Sequence, residues 1–385
     1  MRRIQRLAAR AEKRGLVKTL GSLLFRARFS VSALLPPQQE FRIAWEHTGK
    51  GYLRQGFERL WLLLAFRFEP EAYYWFSLFE PERFARAGEY MTHRQTTNIF
   101  DAMFEGLDPD RIQNKMLYAE ICEQMGIPSP ETLGLWTPAD EPEPPFVDRL
   151  HQVATEGGVI LKPRDAFGGR GISILHLDAA GAWSIRTKDY RDGDLTLSEV
   201  QRQLARSADC LIVQQLLRPH ADLERFERGA LLSVRTITLR DGDEFHFLTT
   251  HIRVGGEGAV ADNFSSGGAA FPIDPATGRL GPGTRSAIAD LPQSVLRVGD
   301  DGLEPPGSHV PMWDQVPDMA IRVHRAFPEF HSLGHDIAVT PDGPVVLESN
   351  TIWAKRTAQK VDDRGLGATV LAEILLAEQA RREAG

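Results

Sequence analysis

The chain has 385 residues, 42% of them hydrophobic and 25% charged, with a formal net charge of −7. This suits a globular protein of two or three lobes around real cores, and the acidic balance gives no reason to bind nucleic acid. No apolar run reaches the roughly 18 residues of a membrane span, and the longest covers only residues 60–66. Cys122 and Cys210 are the only cysteines and stand far apart, so a reducing cytoplasm is expected rather than a disulfide framework.

Residues 2–28 carry nine Lys or Arg against a single acid, Glu12, with Ile4, Leu7, Val17, Leu20, Leu24 and Phe25 between them. A basic amphipathic helix is predicted. It either packs on the protein with a solvated basic face or lies on an anionic membrane surface. No secretory signal is read there. Residues 1–100 read as a mostly helical region, rich in core-type aromatics such as Trp45, Trp61, Tyr73, Tyr74, Trp75 and Phe76. A lead-in region, 101–157, holds a helix opening at Asn114-Lys115 and stopping at Gly126-Ile127-Pro128.

From residue 158 the pattern changes to apolar segments of strand length: 159–162, 171–175, 210–217, 231–240, 245–254, 334–340 and 344–348. Asp241-Gly242 and Asp342-Gly343 are hairpin turn signals. Helices are predicted near 196–206, 314–327 and 366–383, giving an α+β fold of antiparallel sheets with helices on one side.

The last hairpin carries the most chemistry. A turn centred on Asp342 sets Asp336 directly opposite Glu348, with Asn350 on the same face. Ile337, Val339, Val345 and Leu347 then fall on the other, apolar face. Two facing carboxylates need a cation between them, and two acids with an amide oxygen suit Mg²⁺. A second candidate is the Gly-rich loop after Lys162, containing Gly168, Gly169 and Gly171 between two apolar strands. Glycines there let backbone N–H groups approach phosphate, and Lys162 can neutralise it.

The Lys-Pro before a Gly-Gly-x-Gly hairpin, a hydrophobic hinge strand and a late Asp…Glu-x-Asn together resemble the ATP-grasp superfamily. Residues 231–240, followed by Arg253 and by Asp262-Asn263-Phe264-Ser265-Ser266-Gly267-Gly268, resemble its sugar-transfer-associated branch, related to the RimK-type glutamate ligases. The resemblance covers roughly 110–370. It implies two α+β lobes gripping ATP, a nucleotide lobe over 158–217 and a C-terminal lobe over 218–385 with the metal and substrate site. It further implies that Lys115, Lys162 and the loop glycines hold the ATP phosphates. The hinge, Val213-Gln214-Gln215-Leu216-Leu217, would meet adenine, and His220, Asp222 or Glu224 would meet the ribose. Mg²⁺ is implied on Asp336, Glu348 and Asn350, and Arg253, Arg235 and Asn263 at the reacting centre. The implied reaction is ATP-dependent joining of a small-molecule carboxylate to an amine or similar nucleophile through an acyl phosphate. A phosphotransferase acting on a hydroxyl or a non-catalytic binding module are the alternatives, and a homodimer is left open. No dedicated general base is expected, and His251 and His335 read as structural.

Overall fold

Short helices joined at Pro and Gly open the fold. The structure, a computed structural model, describes residues 5, 29, 31–164, 170–206, 209–262, 264, 267–287, 291–298, 302 and 304–384. Apart from Gln5, the basic segment 2–28 lies outside the described residues, as do Gly168, Gly169 and Asn263. Helices α1 (Gln38–Thr48), α2 (Tyr52–Phe66), α3 (His93–Phe104) and α4 (Lys115–Gln124) make up most of the first third. Tyr73, Tyr74, Phe76, Phe79 and Tyr90 are buried in one cluster there, as expected of core aromatics. Trp45 and Trp61 are not: they are about half exposed, and on α2 Leu53, Phe57 and Leu64 share that exposure.

The next strands, β1 (Thr132–Trp136), β2 (Val159–Pro163), β3 (Ser173–Leu177), β4 (Trp183–Arg186), β5 (Arg191–Leu195) and β6 (Leu211–Gln215), form an antiparallel sheet ordered β1-β6-β2-β3-β4-β5. Helices α5 (Pro144–Glu156) and α6 (Leu197–Leu204) cover one face, burying Leu150, Val153, Val200 and Leu204 against Val159, Leu161 and Val213. The alternation of a strand sends Ile160, Lys162 and Gln214 to the other face, towards a cavity. Because β1 pairs with β6, the segment read as a lead-in supplies the edge strand of this sheet. The missed strand is short and irregular, with Gly134 at φ 140° and a register shift beside it.

A second antiparallel sheet follows, ordered β10-β9-β8-β7-β11-β12. It contains β7 (Ser233–Asp241), β8 (Glu244–Val254), β9 (Ala269–Pro272), β10 (Thr284–Arg285), β11 (Ser332–Thr340) and β12 (Gly343–Asn350). One face packs on α7 (Gln315–Ala326), burying Val234, Ile252, Ile337 and Val339 under Val316, Met319 and Val323. The opposite face carries the cavity. Further along that face, Ile237 and Leu239 meet α3 and the C-terminal helices α8 (Lys355–Val361) and α9 (Val370–Ala384).

The register of β11 and β12 is as anticipated where it matters, with Asp336 opposite Glu348 and Gly334 opposite Asn350. Near the turn it differs. Thr340 pairs with Gly343, and a bulge between the turn and Asp336 restores the expected pairing. The extra residue changes which side chains face inward. Val346 joins the core, whereas Leu347 lines the cavity instead of the apolar face.

The N-terminal region is fastened to α8 and the turn after it. Arg83 makes two bonds to Asp363 (2.7 and 2.8 Å), and the Gln359 amide bonds both backbone groups of Met91 at 2.8 Å. Gly365 lies so close that a Cβ there would sit 2.4 Å from the Glu89 carbonyl carbon. Backbone cannot yield as a flexible side chain does. Gly365→Ala is therefore expected to lose about 1–3 kcal/mol of stability, read as a lower urea midpoint.

Beneath the cavity runs a buried hydrogen-bonded chain: Tyr118 hydroxyl, Ser349 hydroxyl, His335, Thr238 hydroxyl, His324 and the Phe330 carbonyl, with links of 2.7–2.9 Å. The terminal carbonyl only accepts, so His324 donates from Nε2, and each donor upstream points the same way. Both imidazoles are thus neutral. Burial holds His335 well below the ordinary range and lowers His324 to about 4 against the pull of the Phe330 carbonyl. In the unfolded chain these histidines take up protons near pH 6.5, so their stability contribution is complete above that pH and is lost as pH falls towards 4. For His324 alone the loss is roughly 3 kcal/mol. Burial raises the carboxyl of Asp362 to about 6, which works in the opposite sense over the same window. Urea midpoints are expected to fall between pH 6.5 and 4, and to fall more steeply in Asp362→Asn.

Candidate active site

A cavity of about 1370 Å³ lies between the two sheets and reaches the N-terminal helices. Sites for drug-sized ligands span about 300–1,000 Å³, so there is room for a nucleotide together with a second molecule.

The first sheet contributes one lysine and α4 the other. Lys162, projecting from β2, is half-buried, and its Nζ donates to Gln214 Oε1 at 2.9 Å. Gln214 in turn donates to Thr132 Oγ1 at 2.9 Å, so it orients the lysine with its side chain. Burial lowers the Lys162 ammonium, Lys115 adds to that, and Glu348, Asp336 and Asp262 oppose it. Lys115 stands at the first turn of α4, capped by Asn114 Oδ1, which accepts from the N–H groups of Met116 and Leu117 at 3.1 and 3.3 Å. Of the loop glycines, Gly171 is described. It has φ +71°, and a Cβ there would meet the Pro163 ring at 2.7 Å, so the chain requires glycine.

The second sheet contributes the charged centre. Arg235 pairs across the strands with Asp336 and grips its carboxylate through Nε and Nη2, the latter at 2.9 Å. Arg253 Nη2 reaches the same carboxylate at 2.9 Å, Asp262 Oδ1 at 3.1 Å and Ser233 Oγ at 2.8 Å. Burial by itself would raise the Asp336 carboxyl, but the two guanidinium groups outweigh it and keep the carboxylate ionised. Burial likewise opposes the charge on Arg253, and Asp262, Asp336 and Glu348 restore it. His251 lies between these arginines on β8. Its Nδ1 has no hydrogen-bond partner, and burial with both cations lowers it to about 3.

The cation expected between Asp336 and Glu348 is thus supplied in part by the protein. Asn350 Nδ2 donates to Glu348 Oε1 at 3.1 Å, and both side chains line the cavity with Asp336 and Lys162. Among the described residues no group of three His, Cys, Asp or Glu gathers for a metal. A carboxylate with a neighbouring amide oxygen still fits Mg²⁺, which keeps waters and phosphate oxygens as its other ligands.

Most of the predicted residues therefore face one space: Lys115, Lys162, Gln214, Gln215, Leu216, Leu217, Arg235, Arg253, Asp336, Glu348 and Asn350. His220 does not line it. Its Nδ1 accepts from the N–H of Asp222 at 3.2 Å, capping a helical turn, while Glu224 and Glu227 stand on the cavity wall. His335 is structural, as the buried chain shows. Asp262 and Ser233 were not singled out, although Asp262 lies nine residues after the arginine it anchors. Trp75, expected in the core, reaches the cavity together with Lys355 and Arg356.

Comparison with solved structures brings out ATP-grasp ligases. D-alanine–D-alanine ligase of Bacillus anthracis is 12% identical, over 71% of this chain and 70% of that one, with a TM-score of 0.37. L-amino acid ligase of Bacillus licheniformis is also 12% identical, over 76% of this chain and 52% of that one, with a TM-score of 0.37. Carboxyaminoimidazole ribonucleotide synthase of Aspergillus clavatus is 14% identical, over 63% and 46%, with a TM-score of 0.35. No curated protein matches the sequence. The family model for sugar-transfer associated ATP-grasp proteins matches residues 101–374, most of the chain. This chain therefore belongs to the sugar-transfer associated ATP-grasp family and has the ATP-grasp fold.

Proposed function

We propose that the protein is an ADP-forming ligase that activates a small-molecule carboxylate as its acyl phosphate and passes the acyl group to an amine. One observation carries this reading: the acid at the charged centre, Asp336, is gripped by both Arg235 and Arg253, which keep it ionised against burial. A hydroxyl acceptor has to lose a proton as it attacks phosphorus, and an acid locked in ion pairs with two guanidinium groups takes one poorly. A carboxylate acceptor arrives without a proton to lose. That favours acyl phosphate formation over phosphorylation of a hydroxyl.

In the proposed site Lys115 and Lys162 hold the ATP phosphates, with the backbone around Gly171 beside them. The segment 213–217 borders the adenine, and the ribose contact falls to Glu224, one of the three residues expected for it, or to Glu227. Glu348 and Asn350 hold Mg²⁺, with Asp336 behind them fixed by its arginines. When bound, the ion neutralises charge on the phosphate oxygens. The substrate carboxylate oxygen bonds to the γ-phosphorus as the bond to ADP breaks. The amine nitrogen then bonds to the acyl carbon, phosphate leaves, and the nitrogen gives up a proton. Arg235 and Arg253 stabilise the negative charge that develops in both steps, and need no reorganisation to do so because they are already fixed. Asn263, close in sequence to Asp262, is proposed to orient the acceptor.

Lys162→Met and Glu348→Gln are each expected to lower turnover by about 10²–10³-fold while leaving the melting temperature near that of the wild type. Turnover is read as ADP release, with hydroxylamine present to trap the acyl phosphate as a hydroxamate. Wild-type rates in either variant would remove the assignment. A stable phosphorylated product without hydroxamate would replace the ligase by a phosphotransferase.

A further inference from the structure

The end of the cavity bordered by the N-terminal helices is also cationic, and nothing in the reaction above uses it. Lys355 is 7% exposed and lines the cavity. Its ammonium lies 3.9 Å from the centre of the Phe100 ring and 4.9 Å from that of Trp353. It forms no hydrogen bond or ion pair with any described residue. The next residue, Arg356, also lines the cavity, with its guanidinium 4.4 Å over the ring of Trp75 and no ion pair to any described residue. Asp101 acts on Lys355 only at longer range, as Glu69 and Glu71 do on Arg356. Burying a cation without a counter-charge is costly, and aromatic faces recover only about 0.5–2 kcal/mol of it. Burial accordingly brings the Lys355 ammonium down to about 7.

Two adjacent cations, Lys355 buried and Arg356 half-buried, face one space with aromatic walls, and Asp101, the acid on the same cavity wall, makes no ion pair with either. Together they form a receptor for an anion. The charged centre of Arg235 and Arg253 lies on the same cavity and would receive the carboxylate to be activated. Asn350, which lines the cavity with that centre, and Lys355 are five residues apart, so at most on the order of 17 Å of chain separates them. A substrate reaching both the centre and Lys355 must carry negative charge at both ends.

We propose that Lys355 and Arg356 form a subsite for a second anionic group, a carboxylate or a phosphate, on the substrate whose carboxylate is activated. The identity of that substrate rests on the ligase reading, whereas anion binding at Lys355 does not. The walls of the subsite come from both ends of the chain. Phe100 and Trp75 belong to the N-terminal region, and Trp353 follows the metal-type ligands on β12. The helical region therefore takes part in substrate choice.

The test is competitive acetylation of the full-length protein at neutral pH with Mg-ATP present, reading Lys355 by peptide mass spectrometry. Butyrate, succinate and phosphonopropionate are the probes. Succinate or phosphonopropionate is expected to protect Lys355 and butyrate is not. Protection by one doubly anionic probe and not the other identifies the second group as carboxylate or phosphate. In Arg356→Gln the midpoint for the protecting probe is expected to weaken by about tenfold or more, the loss of one charge-assisted hydrogen bond. Equal protection by butyrate, no protection by any probe, or an unchanged midpoint in Arg356→Gln overturns the subsite. A thermal shift with Mg-ATP, measured on the same samples, separates this result from failure of the nucleotide site. Loss of that shift in the wild type would count against the ligase reading alone.

Discussion

One buried carboxylate organises the second sheet of this protein and the cavity wall it forms. Asp336 sits opposite Glu348 on adjacent strands, an arrangement that like charges make unfavourable unless a cation intervenes. Arg235 provides it from the adjacent strand β7 and Arg253 from β8, the strand beyond, and Asp262 with Ser233 anchors the second arginine. Both arginines and Asp336 are placed by sheet register. The guanidinium groups are consequently aimed before any ligand arrives, which is the condition under which fixed charge assists a reaction most.

The same register explains why the rest of the molecule is built around β11 and β12. On one face of the hairpin lies the charged network. On the other, Ser349 and His335 enter the hydrogen-bonded chain that ties α4, β7 and α7 to the strands. Alternation along the hairpin thus places His335 beside Asp336 and Ser349 beside Glu348, both turned into the polar chain. The N-terminal helices are part of the same construction, since Arg83, Met91 and Phe100 all meet the segment that leaves β12.

Much of this was legible in the sequence. Alternating apolar residues and a short turn fix a hairpin, so the pairing of Asp336 with Glu348 follows from the residues alone. The bulge does not, because one extra residue near a turn leaves no compositional mark, and it moved Leu347 from core to cavity. Strands β4 and β5 were missed for a similar reason: both are short, and β5 reads Arg-Asp-Gly-Asp-Leu. The clamp on Asp336 depends on which strands neighbour β11, a long-range fact. His220 had the chemistry for a ribose contact, but a side chain beginning a helical turn is drawn to its own backbone. Lys355 was silent because its aromatic partner Phe100 lies some 255 positions earlier.

The loop leaving β12 has a mechanical consequence. A Cβ on Gly334 would lie 2.5 Å from that of Trp353, so the absence of a side chain lets the loop fold back against the base of its own sheet. Glu348, Asn350, Trp353 and Lys355 consequently ride on one short, tightly seated stretch of backbone. Both ends of the cavity therefore draw residues from one continuous stretch of chain, and its seat against the sheet leaves no room for a side chain at Gly334.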